Sequence, residues 1–331
     1  LERPRGAAWT PADVPLLDEA AELLGIDDEA QRQAQARSDA DRRAENDYAE
    51  SVLEMTGTRG VSAEQMLDRY SGPDEVMSVA ERASDDREWV YGHVVVDEAQ
   101  ELSPMMWRLL ARRCPSLSMT VVGDLDQTAA TAGAEDWGQA LRDITRSRHR
   151  TEERWRVERL TVNYRTPRPF MDLARDVLIA CGREPAPVES IRDGEAAVIL
   201  KTDAPGDVAA LVAQVVGRED VGRAAIITAA SLVDEVDVRV REALPDGIVG
   251  HGDDRLDATV SVLTVQQAKG LEFDAVFVVE PDLIDAEAAR RGTDLYVALT
   301  RATRSLTITY TGDYPRSLSR IDHSAIASRT H

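Results

Sequence analysis

The spacing of apolar residues divides the chain near position 90. Before it, apolar residues are sparse and fall at helical intervals. Thr10-Pro11 followed by ADVPLLDEAAELLG combines a capping hydroxyl, a proline in the first turn and a closing Gly25, which predicts a capped amphipathic helix. Residues 27–55 are dense in Ala, Arg, Glu and Gln with a thin apolar stripe. A helix with so narrow a stripe either stays solvated, in part as a mobile arm, or needs a partner. Residues 62–70 and 73–83 read as two further short helices.

After position 90, short apolar runs alternate with helical periods. Strands are predicted at 93–96, 118–122, 158–162, 196–201, 224–228, 260–265, 275–279 and 305–310. Helices are predicted at 104–113, 136–145, 167–180, 207–216, 232–244 and 294–302, with a charged link at 146–156. Repeated strand-helix units imply parallel sheets covered on both faces. The expected fold class is therefore α/β behind an N-terminal helical segment, with divisions at 1–90, 91–150 and 151–331.

Composition changes this picture little, and charge changes it more. A chain of 331 residues, 43% of them hydrophobic, has ample core. No apolar run reaches the roughly 18 residues of a membrane span. Cys114 and Cys181 are the only cysteines, and the five histidines lack ligand spacing. Free thiols and no metal centre of Cys or His are expected, in a reducing cytoplasm. The net charge is -21, and Lys201 and Lys269 are the only lysines beside 37 arginines. Such acidity opposes binding a polyanion, because nucleic-acid affinity rests on neutralising phosphates.

Five short motifs carry the candidate chemistry. VVVDEAQ (94–100) places two carboxylates directly after a buried strand. Asp97 suits Mg²⁺, a hard cation that prefers oxygen ligands, and Glu98 suits orientation or deprotonation of an attacking water. GDLDQ (123–127) follows the next strand and offers Gln127 to a terminal phosphate. NYR (163–165) offers the flat face of Tyr164 to an adenine ring and the guanidinium of Arg165 to phosphate oxygens. In QAKGLEF (267–273), Gly270 permits a backbone turn and Glu272 can accept a ribose hydroxyl. Lys269 and Thr264 have two readings, contact with a polynucleotide backbone or with the phosphate side of a cleft. YVALTRA (296–302) is helical and presents Arg301 as a second positive charge. A phosphate-binding GxxxxGK[ST] loop is missing from these residues, since Leu200 precedes one lysine and Ala268 the other.

Together these residues resemble motifs II to VI of the UvrD/Rep-like superfamily 1 helicases over about residues 91–312. The resemblance implies two RecA-like lobes, the first ending near 150 and the second occupying 151–331, with ATP and Mg²⁺ between them. It implies Asp97 and Glu98 as Walker B residues, Gln127 as phosphate sensor, Arg165 and Arg301 as arginine fingers, and Tyr164 and Glu272 as nucleotide contacts. WTPADVPLLDEAAELLG (9–25) and WVYGHVVVDEAQELSPMMWRLLARRCP (89–115) are similar to the HelD group, including its HelR type. That group has helicase-like lobes but acts on RNA polymerase, releasing stalled or rifamycin-inhibited enzyme.

Two departures from the helicase pattern favour the narrower resemblance. Helicases continue the GDxxQ motif with aromatics that stack bases, and here Ala130 and Ala132 stand in their place. Only about a hundred residues separate Arg165 from Thr264, too few for the extra domain of UvrD and Rep. The expected partner is thus RNA polymerase core, with nucleic acid a weak partner, no membrane, and a monomeric state. The alternatives are a DNA-repair helicase with 3′–5′ unwinding, and a scaffold that never needed a P-loop. The chain opens at Leu1 and is expected to be part of a longer protein. By itself it is expected not to turn over ATP measurably; robust phosphate release from these 331 residues would refute this reading of the missing loop.

Overall fold

The computed structural model describes residues 8–25, ten positions between 36 and 55, 89–128, 130, 133–134, 136–146, 155–216, 222–250 and 258–319. The helices expected at 62–70 and 73–83, the residue Ala132 and most of the 146–156 link lie outside them. The ten described positions of the 27–55 stretch are all helical. The chain forms two compact units, 1–94 with 105–120, and 95–104 with 121–331.

In the first unit, a 3-10 turn at Pro11–Asp13 leads into α1 (Val14–Leu24), which ends at Gly25 with φ +76°. Asp13 Oδ2 accepts from both the amide and the hydroxyl of Thr10 at 2.7 Å, which ties the start of this turn together. Helix α2 (Pro104–Arg113) meets α1 through charge. Arg112 Nε donates to Asp18 Oδ2 at 3.0 Å, Arg112 Nη1 to Glu19 at 2.5 Å, and Arg108 pairs with Glu19 at 2.9 Å. Trp107 is buried on α2. Strands β1 (Val94–Val96) and β2 (Met119–Val121) form a two-stranded sheet.

The second unit contains the main sheet. After α3 (Trp137–Arg146), β3 (Val162–Asn163), α4 (Arg168–Ala180) and β4 (Glu189–Ser190) come the sheet strands. These are β5 (Val198–Lys201), β6 (Ala224–Thr228), β7 (Val260–Thr264), β8 (Phe273–Val279) and β9 (Ala302–Tyr310). Their order is β5-β9-β8-β6-β7, and every pairing is parallel. The helices between them are α5 (Val208–Val215), α6 (Val233–Ala243), α7 (Val265–Ala268), α8 (Pro281–Glu287) and α9 (Thr293–Thr300).

Alternation along β6 shows why both faces are covered. Ala225 and Ile227 join one core with Val276 and Val278 of β8, Leu178 of α4 and Leu299 of α9. Ala224 and Ile226 point the other way, into a core with Val262, Phe277, Val212 of α5 and Val240 of α6. Side chains on a strand alternate faces, so a strand apolar at every position must be covered twice. The α/β class with a parallel sheet is therefore borne out.

Some elements differ from the sequence expectation. The strand expected at 158–162 is only the short β3, which pairs with β4 and not with the main sheet. Val157, Leu160 and Val162 are exposed, so apolarity there does not mark a core. Helices α7 and α8, with four and seven residues, are too short to show a helical period. Strand β9 begins three residues earlier than expected, because Ala302 pairs with Phe273 of β8. Among the described residues no helix is long and apolar enough to cross a membrane.

Asp282 of α8 ties down the segment after β9. Its Oδ1 accepts from the amide of Ser317 at 2.9 Å and the hydroxyl at 2.7 Å, and its Oδ2 from the amide of Arg316 at 2.9 Å. Burial pushes this carboxyl up, but the bonds from Ser317 and Arg316 outweigh it and hold it below the ordinary aspartate range. A lowered carboxylate stabilises the fold above its unfolded value, and that contribution vanishes as pH falls through the folded value. Unfolding of wild type and D282N followed by denaturant from pH 7 to pH 3 should show a gap near neutrality that closes in acid; a gap independent of pH would contradict this.

Candidate functional site

The motif residues converge inside the second unit. Asp97 and Glu98 follow the end of β1. Glu98 sits in the left-handed region at φ 50°, ψ 36°, an arrangement that costs a non-glycine residue about 1 kcal/mol or more and persists where surroundings enforce it. Its amide donates to Asp97 Oδ1 at 2.8 Å. Its own carboxylate accepts from Gln100 Nε2 at 2.6 Å.

Gln100 is fully buried and works in both directions, since its Oε1 accepts from the amide of Asp124 at 3.0 Å. The carboxylate after β1 is thereby tied to the GDLDQ turn. Gly123 makes this approach possible, because a Cβ there would stand 2.5 Å from Gln100 Oε1 and 2.8 Å from the Trp137 ring. Within the turn, Asp124 accepts from the amide of Asp126 at 2.9 Å and from Gln127 Nε2 at 3.0 Å. With its amide nitrogen so occupied, Gln127 turns its Oε1 to Arg301.

Arg301 is 2% exposed. Its Nη2 donates to Gln127 Oε1 at 3.1 Å and Thr300 Oγ1 at 3.2 Å, its Nε to the Val297 carbonyl at 3.1 Å, and its Nη1 to the Leu271 carbonyl at 3.3 Å. Burial pushes its guanidinium below the usual arginine range, and the charge of Arg165 pushes the same way. Glu98, Tyr296 and Glu272 act against them. These influences place Arg165, Glu98 and Glu272 in the electrostatic neighbourhood of Arg301.

Arg165 is held differently. Asn163 Oδ1 accepts from the amides of Arg165 at 2.8 Å and Thr166 at 3.1 Å, which turns the chain out of β3. The Arg165 side chain, half exposed, pairs through Nε with Glu272 Oε1 at 2.6 Å. Tyr164 beside it is 70% exposed. Gly270 adopts φ +75°, and a Cβ there would lie 4.0 Å from Glu98 Oε1. The turn thus stands next to the carboxylate.

Lys269 is mostly buried. Its ammonium pairs with Glu101 and donates to the Gln127 carbonyl at 2.8 Å, so both of its bonds go to the protein. Glu101 Oε2 in turn accepts from the amide of Ala130 at 2.9 Å. Thr264 caps α7, its hydroxyl accepting from the amide of Gln267 at 3.3 Å. Asp97 accepts only from the Glu98 amide, and its Oδ2 accepts no bond among the described residues.

Sequence reasoning missed the connecting residues Gln100, Glu101 and Asp124. Gln100 was readable, since a glutamine closing DEAQ after a buried strand has two amide functions to satisfy. The position of the site was less readable. Asp97, Glu98 and Gln127 follow the carboxyl ends of their strands, as expected for parallel sheets. Glu272 and Arg301, however, directly precede β8 and β9, at the amino ends.

Residues 259–309, which run from β7 to β9, match the model of the UvrD-like helicase C-terminal domain. That segment includes Thr264, Lys269, Gly270, Glu272 and Arg301. No curated protein matches. Among solved structures, the chain is similar to the C-terminal domain of a possible DNA helicase from Lactobacillus plantarum WCFS1, with 22% identity over 50% of this chain and 97% of that one, and a TM-score of 0.41. It is also similar to the PRRSV helicase, with 14% identity over 75% of this chain and 45% of that one, and a TM-score of 0.38. A third is the arterivirus nonstructural protein 10 helicase, solved with DNA, with 16% identity over 70% of this chain and 43% of that one, and a TM-score of 0.34. The chain spans less than half of each viral helicase.

The two arginines should differ in their cost on removal. Arg301→Ala leaves acceptors unpaired in a buried site and should lower stability by about 2–4 kcal/mol. Arg165→Ala breaks only a half-exposed pair and should cost under about 1 kcal/mol. Urea unfolding of both variants checks this, and equal losses would contradict it.

Proposed function

We infer that this chain is part of an ATP-driven motor of the UvrD-like superfamily that acts on RNA polymerase, releasing and recycling stalled or rifamycin-bound enzyme. The supporting observation is the convergence of Glu98, Gln127, Arg165, Glu272 and Arg301 around one place, although they come from widely separated motifs. Phosphoryl transfer needs positioning and charge neutralisation more than covalent chemistry, and this set supplies both.

ATP with Mg²⁺ provides the phosphoryl group and the metal charge. Among the described residues no group of three His, Cys, Asp or Glu is placed to hold a metal ion. Asp97, whose carboxylate oxygens suit a hard cation, would be the residue that holds Mg²⁺. Glu98 orients the attacking water and takes its proton, while Gln100 keeps its carboxylate in place. Arg165 exchanges Glu272 for phosphate oxygens, which frees Glu272 for a ribose hydroxyl and leaves Tyr164 beside the base. Arg301 stays fixed and passes the position of Gln127 to the strands behind it. Gly270 gives the turn its curvature, and Lys269 holds the turn to the Gln127 carbonyl.

The choice of polymerase over nucleic acid draws on three features. The net charge is -21, Lys269 is occupied by Glu101, and Ala130 stands where a stacking aromatic would serve a single strand. The test uses the full-length protein. Capture of core RNA polymerase should depend on ATP, and E98Q should lower ATP turnover about a hundredfold or more, as expected for loss of a general base. Failure to capture polymerase together with unwinding of tailed duplex DNA would replace this reading with that of a repair helicase.

A further inference from the structure

Tyr296 opens the YVALTRA motif on α9, and its side chain is only 6% exposed. Its hydroxyl makes no hydrogen bond among the described residues. A tyrosine so enclosed ordinarily finds a partner for its O–H, and a phenylalanine would fill the same space. Helix α9 packs along the GDLDQ turn, which brings Tyr296 into the neighbourhood of Asp124 and Asp126. Burial pushes the phenol up. The two carboxylates push it further, Asp124 more strongly, while Arg301 and Arg175 act against them. The hydroxyl thus keeps its proton and is available to donate to a carboxylate. Arg175 of α4 belongs to the same neighbourhood, and its Nε is buried without a partner.

The bonds of Gln127 define when that donor is needed. Gln127 Oε1 accepts from Arg301 Nη2 at 3.1 Å, and its Nε2 donates to Asp124 Oδ2 at 3.0 Å. A phosphate oxygen only accepts, so Gln127 reaches a terminal phosphate through Nε2 and must then give up Asp124. Asp124 Oδ1 is committed to the amide of Asp126 at 2.9 Å, which leaves Oδ2 without a donor in a half-buried site. An unanswered carboxylate oxygen there is costly. The other groups nearby are already engaged. Arg183 pairs with Asp126 at 3.0 Å, and Gln100 Nε2 donates to Glu98. Each nitrogen of Arg301 has an acceptor. The Tyr296 hydroxyl remains.

We propose that Tyr296 is a positioning residue of the phosphate sensor, its hydroxyl taking over Asp124 Oδ2 when Gln127 turns to phosphate. This rests on the motor reading given above, which supplies the phosphate. The exchange moves one hydrogen bond, with no covalent bond broken and no proton transferred. It gives the GDLDQ turn two closed arrangements, with Asp124 held by Gln127 in one and by Tyr296 in the other. The charge of Arg175 favours the second, because a carboxylate that moves toward Tyr296 enters its field.

Gln127→Glu imitates the released state without nucleotide. Its carboxylate still accepts from Arg301 but cannot donate to Asp124. Y296F removes only the hydroxyl. Urea unfolding of the 331-residue chain in a double-mutant cycle near neutral pH tests the pairing. Y296F should change the unfolding constant of wild type by less than about twofold. In Q127E it should raise that constant about tenfold, the loss of one bond to a charged acceptor. Equal effects in the two backgrounds overturn the proposal. In the full-length protein, Y296F should lower kcat for ATP about tenfold and leave KM within about twofold, as for an interaction made after binding. An unchanged kcat beside an active wild type also overturns the proposal. A wild-type protein that does not turn over ATP refutes the motor reading instead, and the unfolding cycle then decides the pairing of Tyr296 with Asp124 by itself.

Discussion

Burying the guanidinium of Arg301 is the constraint on which the site depends. A charge taken out of water is tolerated only when paired and hydrogen-bonded. Arg301 meets this demand with acceptors from three places, its own helix α9, the Leu271 carbonyl before β8, and Gln127 Oε1. Those places must come together for the charge to be solvated by the protein. From Gln127 the order passes to Asp124, then through Gln100 to Glu98. One buried cation and one buried amide therefore link motifs roughly 200 residues apart.

Around this rigid network the remaining groups are loosely held. Arg165 and Glu272 are each about half exposed and bound mainly to each other, and exposed pairs exchange partners at little cost. Tyr164 projects into solvent. The arrangement sets a buried, fully hydrogen-bonded arginine beside an exposed one.

The same economy explains how an acidic chain manages its positive charge. Lys269, Arg183 and Arg290 spend much of their bonding on backbone carbonyls and carboxylates of residues 101–134. They secure the GDLDQ turn and the chain after it to the main sheet's surroundings. A basic track for a polymer would need these donors facing outward.

The strands of the main sheet were legible because uninterrupted apolar runs such as AAII (224–227) and AVFVV (275–279) have no stable place except between two covering layers. Helix α4 was legible from its Pro start and its apolar period, and the motif side chains from their chemistry and order. Helices α7 and α8 were not, being shorter than the period that reveals a helix, and the exposed apolar residues at 157–162 misled because local composition does not say whether a partner strand exists. Nor could residue order show that Gln100 joins the GDLDQ turn to Glu98. Covalent sequence determines which groups are present and which local periods they favour. Which donor meets which acceptor depends on distances created only when the sheet closes its core, and there the need to satisfy a buried charge decided the partners.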